Sequence, residues 1–192
     1  MRTLYALLLL LPLAVSAQVK SSPDGTIRAA LSTQRGVTSL TITVQGQPFM
    51  TIDSLGIEAD VPFRLEWGVG SHCVYFQYRT EAHDALVRRE TTRYRFASDG
   101  MAWHIPGNFA TYEFLNIEEP LSRMENSNTP ITFRLDNGLW GNIHEAYLDN
   151  FPEMILWRRD SLTFGAWLCP SADKSIGFAN TIHGDDGIRS SY

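Results

Sequence analysis

Long helical periodicity is missing from this sequence, and so are most motifs from which an activity could be read directly. Nowhere in the 192 residues do apolar side chains recur at 3.6-residue spacing over a long window, which speaks against a helical bundle. Cysteine is scarce. Cys73 and Cys169 are the two present, and neither lies in a CxxC or other zinc-ligand spacing, so structural zinc is not expected. No glycine-rich phosphate loop and no GxSxG elbow occur. Positive charge is also short, with 16 Lys and Arg against 21 Asp and Glu and a net charge of −5. Without a basic stripe to neutralise phosphates, nucleic acid is not an expected partner. His144-Glu145 opens like the zinc-protease motif HExxH, but Leu148 stands where the second histidine must be, which rejects a metalloprotease.

What is present describes an exported globular protein. Hydrophobic residues make up 44% and aromatics 11%, with 14 Gly and 9 Pro, a composition that forms a core and excludes a disordered or collagen-like chain. Arg2, the apolar run Leu4 to Val15, and the small residues of Val15-Ser16-Ala17 read as a signal peptide over residues 1–17. The run is too short for a finished transmembrane helix, which needs about 20 apolar residues. Cleavage after Ala17 starts the mature chain at Gln18, with no cysteine there for a lipoprotein anchor. No later segment is apolar enough to span a bilayer, so no membrane association is expected after cleavage. Export leaves two readings open for Cys73 and Cys169: a disulfide, or two free thiols packed as small apolar groups.

Short alternating runs between turn signals predict an all-β fold. Ser22-Pro23-Asp24-Gly25 is a turn, after which Ile27, Ala29 and Leu31 alternate with polar or small residues. Leu40 to Val44, Phe49 to Ile52, Val74 to Tyr78, Thr91 to Ala97 and Met101 to Ile105 repeat the pattern. Ile131 to Leu135 is read as a strand, Asp136-Asn137-Gly138 as a tight turn, and Leu139 to Leu148 as a second strand; Met154–Trp157 and Leu162–Leu168 form a further hairpin. Glu81 to Glu90 reads as a helical turn or a loop, and Glu118 to Pro130 as a polar surface connection. About ten short strands at near-regular spacing indicate a sandwich. No internal repeat or linker divides the mature chain.

The Leu139 to Leu148 strand carries the one unusual residue. Leu139, Gly141, Ile143, Glu145 and Tyr147 share a face, so burial of Ile143 and Tyr147 places the Glu145 carboxylate between apolar neighbours. A buried charge needs a cation or hydrogen-bond donors. Calcium, an arginine partner or an exposed strand end would each meet that need. Other constellations are weaker. Glu118 and Glu119, adjacent on a strand, face opposite ways and cannot flank one bond as a glycosidase pair does. His72 beside Cys73 resembles half a thiol dyad, but sequence neighbours do not make one, and the Arg88-Arg89 pair reads as solvated surface. Trp103, Trp140, Trp157 and Trp167 read as core aromatics. No catalytic set is complete, and no substrate-binding residue is identified.

Several strings resemble glycoside hydrolase family 97. Ser22-Pro23-Asp24-Gly25 and Ser54-Leu55-Gly56-Ile57 resemble the family's opening. The stronger likeness is Ile143-His144-Glu145-Ala146, then Phe151-Pro152-Glu153-Met154, then Leu168-Cys169-Pro170. The resemblance implies an N-terminal β-supersandwich, the galactose-mutarotase-like fold, over residues 18–170, with 171–192 a divergent tail. It implies an exported bacterial hydrolase of α-linked glycans, placed in the periplasm or outside the cell, whose catalytic (β/α)8 barrel is absent from this chain. It also implies that Glu145 is a calcium ligand shared with that barrel, and that this chain alone is not catalytic. Glu153 replaces the family's glycine. The short span between Ile57 and Tyr75 implies missing strands and leaves room for an incomplete sandwich. Two other functions remain open. One is a free-standing carbohydrate-binding module with Trp140 or Trp103 as sugar platform. The other is a mutarotase-like epimerase, although His72, His83, His104 and His144 show no telling spacing.

Overall fold

The computed structural model describes residues 17–82, 84–106, 117–146, 154–168 and 188–191. Among them are sixteen strands and no helix. Four strands open the fold as a meander: β1 (Gln18–Ser21), β2 (Ile27–Gln34), β3 (Val37–Val44) and β4 (Gln47–Asp53). The two-residue turns joining β2 to β3 and β3 to β4 hold positive φ at both central residues, Arg35-Gly36 and Gln45-Gly46. That is the backbone whose twist matches antiparallel strands. β5 (Ile57–Ala59) then leaves this sheet to pair with β8 (Asp84–Glu90). Between them, β6 (Phe63–Val69) and β7 (Val74–Thr80) form a separate hairpin. The chain returns through β9 (Arg93–Phe96), which pairs with β4, and continues with β10 (Gly100–Ile105) and β11 (Ile117–Pro120). It goes on through β12 (Asn126–Leu135), β13 (Trp140–Ile143), β14 (Met154–Arg158) and β15 (Thr163–Leu168). β16 (Ile188–Ser191) joins β8.

The main sheet has eleven strands in the order β1-β2-β3-β4-β9-β15-β14-β12-β10-β11, with β13 paired to β12. Every pairing in it is antiparallel. Register aligns the apolar positions into rows. Leu31, Leu40, Ile52, Tyr94 and Phe164 are successive cross-strand neighbours, and Ala29, Ile42, Met50 and Phe96 form the next row. All but Leu31, which packs half-buried against them, join Phe133, Ile131, Leu156, Trp67 and Tyr78 in one buried cluster. Trp67 and Tyr78 come from the β6–β7 hairpin, which therefore closes over the sheet as a second layer. Each fully buried large side chain contributes about 1.5–3 kcal/mol, so the cluster binds the layers together. At Gly141 a Cβ would collide with the rings of Phe49 and Phe133. Glycine there lets both aromatics lie against β13.

Most expected strands are present, and four readings need correction. Residues 84–90 form a strand rather than a helical turn or loop: Ala85 and Val87 are buried while Arg88 and Arg89 face solvent. Its partners, β5 and β16, are remote in sequence, so no local signal marks it. The stretch Glu118 to Pro130 is not a surface connection. It contains β11 and the start of β12, and Leu121, Met124 and Ser127 are fully buried. The strand expected over Leu139 to Leu148 is confined, among described residues, to β13, ending at Ile143. None of Trp103, Trp140, Trp157 and Trp167 is a core residue; the core tryptophan is Trp67. The span between Ile57 and Tyr75 holds β5 and β6. Residues 1–16, His83, Tyr147, Leu148, the Phe151-Pro152-Glu153 string and Cys169-Pro170 lie outside the described residues.

Candidate functional site

β12 pairs with two different strands along one edge. Asn126–Asn128 pair with β14, and Ile131–Arg134 pair with β13, while β10 occupies the other edge. Thr129 and Pro130 lie at the changeover. Proline has no N–H to give to a ladder, so the sheet forks where β13 and β14 diverge. Glu145 stands just past the end of β13, and Met154 begins β14 on the far side of the fork.

Glu145 is half-buried there. The Thr129 hydroxyl lies 2.9 Å from Glu145 Oε2 and 3.3 Å from the Met154 carbonyl oxygen. Its single proton favours the nearer, charged acceptor. No Lys or Arg among the described residues forms an ion pair with Glu145. Up to Ile143 the expected parity holds, since Gly141 and Ile143 register against Phe133 and Ile131 of the core, and Glu145 lies beyond that pairing.

A second carboxylate feels the charge of the first. Glu90 ends β8, and its carboxyl is pushed up to about 7, first by desolvation and further by the charge of Glu145, against a hydrogen bond from Thr92. Two buried tyrosines complete the surroundings. Tyr94 is raised well above the ordinary phenol value by burial, then by the charges of Glu90, Tyr78 and Glu145, and its hydroxyl donates to Met154 Sδ at 3.6 Å. Tyr78 is raised by burial and by Glu90. Its oxygen accepts the Gly56 N–H at 2.9 Å and meets the buried Thr92 hydroxyl at 2.5 Å. The charge of Glu90, at the end of β8, thus acts on a tyrosine of the main sheet and on one of the β6–β7 hairpin.

Sequence reasoning found Glu145 alone. Glu90 follows Arg88-Arg89, which looks like a solvated run, and Thr129 reaches Glu145 only through the fork, while Tyr78 meets Thr92 only through the hairpin. Other candidates disperse. His72, Cys73 and His144 are exposed, and the Cys73 thiol is free. Glu118 points outward while Glu119 turns to the buried His104, with 2.9 Å between Glu119 Oε1 and His104 Nε2. Among the described residues there is no group of three or more His, Cys, Asp or Glu that could hold a metal by itself. Two carboxylates and a threonine hydroxyl are nevertheless hard oxygen donors, the type calcium takes in sets of six to eight.

Comparison with known proteins bears on this arrangement. The glycosyl-hydrolase 97 N-terminal family model matches residues 63–183, a span containing Glu90, Thr129 and Glu145. No protein of curated function matches significantly. Among solved structures, the chain is similar to a glycoside hydrolase family 97 enzyme from Pseudoalteromonas sp. strain K8, in complex with acarbose. It is equally similar to an arginine-to-lysine variant of that enzyme and to a glutamate-to-glutamine variant in complex with panose. Each is 18% identical with a TM-score of 0.64, and the alignment covers 80% of this chain and 32% of that chain. The chain thus spans about a third of the length of these enzymes, and their likeness establishes the all-β sandwich fold. The family match extends over more than half of the sequence, and the chain belongs to the glycosyl hydrolase 97 N-terminal domain family.

Proposed function

We propose that this chain is the N-terminal sandwich of an exported glycoside hydrolase acting on α-linked glycans, delivered by residues 1–17 to the periplasm or cell exterior. Its task is to support an active site whose reacting groups belong to a (β/α)8 barrel outside this sequence, and to border the bound glycan. Glu145 contributes a calcium ligand at the seam between the two.

One observation carries the reading: a half-buried carboxylate at a fork in the sheet, positioned by Thr129, with no Lys or Arg of the described residues paired to it and with its charge acting on a second acid, Glu90. Such an arrangement is incomplete alone, because like charges that act on each other raise each other's energy unless a cation joins them. Calcium, when bound, supplies that positive charge. The chain's own part is to hold Glu145 by the Thr129 hydroxyl and to keep the site dry with Tyr94 and Met154. The described residues provide only a fraction of a calcium shell, which agrees with a ligand set shared across a domain boundary.

The test uses the chain from Gln18 to Tyr192 with aryl α-glucosides and α-galactosides. No hydrolysis is expected, with or without calcium. Turnover that a point substitution within this chain abolishes would overturn the proposal. For Glu145, fusion to a family barrel gives the readout. Glu145→Gln is expected to raise the calcium concentration for half-maximal activity about tenfold or more, in line with the effect of removing a supporting group at a metal site; an unchanged requirement removes Glu145 from the metal.

A further inference from the structure

On the solvent side of β10, β12 and β13, at the opposite end of β13 from the one that Glu145 follows, two tryptophans form a structure that the core does not need. Trp103 and Trp140 stack with centroids 5.1 Å apart and planes 16° from parallel. Trp140 nevertheless keeps 59% of its surface in solvent. The guanidinium of Arg134, the direct cross-strand neighbour of Trp140, lies 5.6 Å from the Trp140 ring centre. This is within the reach of a cation–π contact. A single exposed apolar side chain needs no explanation. A stacked pair braced by an arginine is a preformed aromatic surface, already fixed before any ligand arrives.

Beside it the sheet is concave. Gly100, Met101, Arg134, Leu135, Asp136 and Gly138 line a hollow of about 260 Å³. The volume lies just under the range of about 300–1,000 Å³ typical for drug-sized ligands, so it suits one ring rather than several. Arg134 and Asp136 are both exposed, and neither is engaged in an ion pair among the described residues. Arginine offers a planar fork of donors and aspartate two acceptor oxygens. With one charge of each sign, the hollow has no bias toward an anion or a cation.

From this geometry we infer a second glycan site: Trp140 stacks on the apolar face of a pyranose ring, while Arg134 and Asp136 take the hydroxyls at its edge. An apolar face and a ring of paired donors and acceptors, without net charge, are what this surface complements. The site is one of binding only, and holds a neutral α-linked oligosaccharide away from the Glu145 end of the domain. The choice of α linkage rests on the function proposed above; the platform itself rests on the sheet's outer face and needs neither calcium nor a barrel.

The experiment is titration of the mature chain with maltoheptaose in EDTA, followed by tryptophan fluorescence and calorimetry. Saturable binding in the millimolar range is expected. Trp140→Ala and Arg134→Ala should each weaken it about tenfold, equivalent to about 1.4 kcal/mol, with the circular dichroism spectrum retained. Trp157→Ala, on the same sheet away from the hollow, should bind as the parent does. No binding by the parent overturns the inference, as does binding indifferent to Trp140 and Arg134. Self-association that Trp140→Ala abolishes overturns it too, because a second copy then covers the face. A failure here leaves the hydrolase reading untouched, and hydrolysis assays do not bear on this site.

Discussion

Glu90 and Glu145 show how much one side chain's setting depends on its neighbours. Glu145 is held by the Thr129 hydroxyl, whereas desolvation and the charge of Glu145 outweigh the hydrogen bond from Thr92 at Glu90 and lift it from the ordinary 4.5 to about 7. An acid raised in the folded state binds more protons folded than unfolded between those two values. Stability therefore falls as pH rises through that window and levels off above it. At about 1.4 kcal/mol per unit of difference the full effect amounts to a few kcal/mol. Urea titrations of the mature chain from pH 4 to 8 should show this decline, and Glu90→Gln should flatten it relative to the parent. Equal slopes in both proteins would mean that Glu90 is solvated.

At the scale of elements, the pairing of β10 with β12 governs the edge that carries both Trp103 and the His104–Glu119 contact. Gly100 is the tightest point of that pairing. A Cβ there would overlap the Arg134 carbonyl and approach the Leu135 backbone, atoms that can move only if the strands separate. Gly100 also accepts the Leu121 N–H through its carbonyl oxygen. Gly100→Ala should lower stability by about 1–3 kcal/mol, measured as a shift in urea midpoint at unchanged slope. A neutral result would show that β10 and β12 part without penalty. The strands legible from sequence are those with clean alternation beside a turn signal, such as Leu40 to Val44. The obscured ones, β8 and β11, carry charge on one face and find their partners far away or across a bend. Their apolar positions are too few to stand out.

At the scale of the molecule, one buried cluster joins the main sheet to the β6–β7 hairpin, with Trp67 and Tyr78 packed among residues of β3, β4 and β9. A core shared in this way unfolds as a unit. Fluorescence and far-ultraviolet circular dichroism should therefore report coincident urea transitions. Trp67→Ala should shift both together by about 3–5 kcal/mol. If fluorescence alone moved, the hairpin would be a separate unit.

Local pattern determined the fold class here, because a side-chain period of two needs no knowledge of distant residues. The oddity of Glu145 stood out for the same reason, since alternation counted along the expected strand groups it with Ile143, although β13 itself ends at Ile143. Which groups surround that acid was decided by tertiary structure. Thr129 bonds to it at a proline-marked fork, and Glu90 and Tyr94, from other parts of the chain, feel its charge, relations between distant segments that no local period encodes. The tryptophans teach the same lesson in reverse: alternation says which residues share a face, and only packing of the layers decides which face meets water.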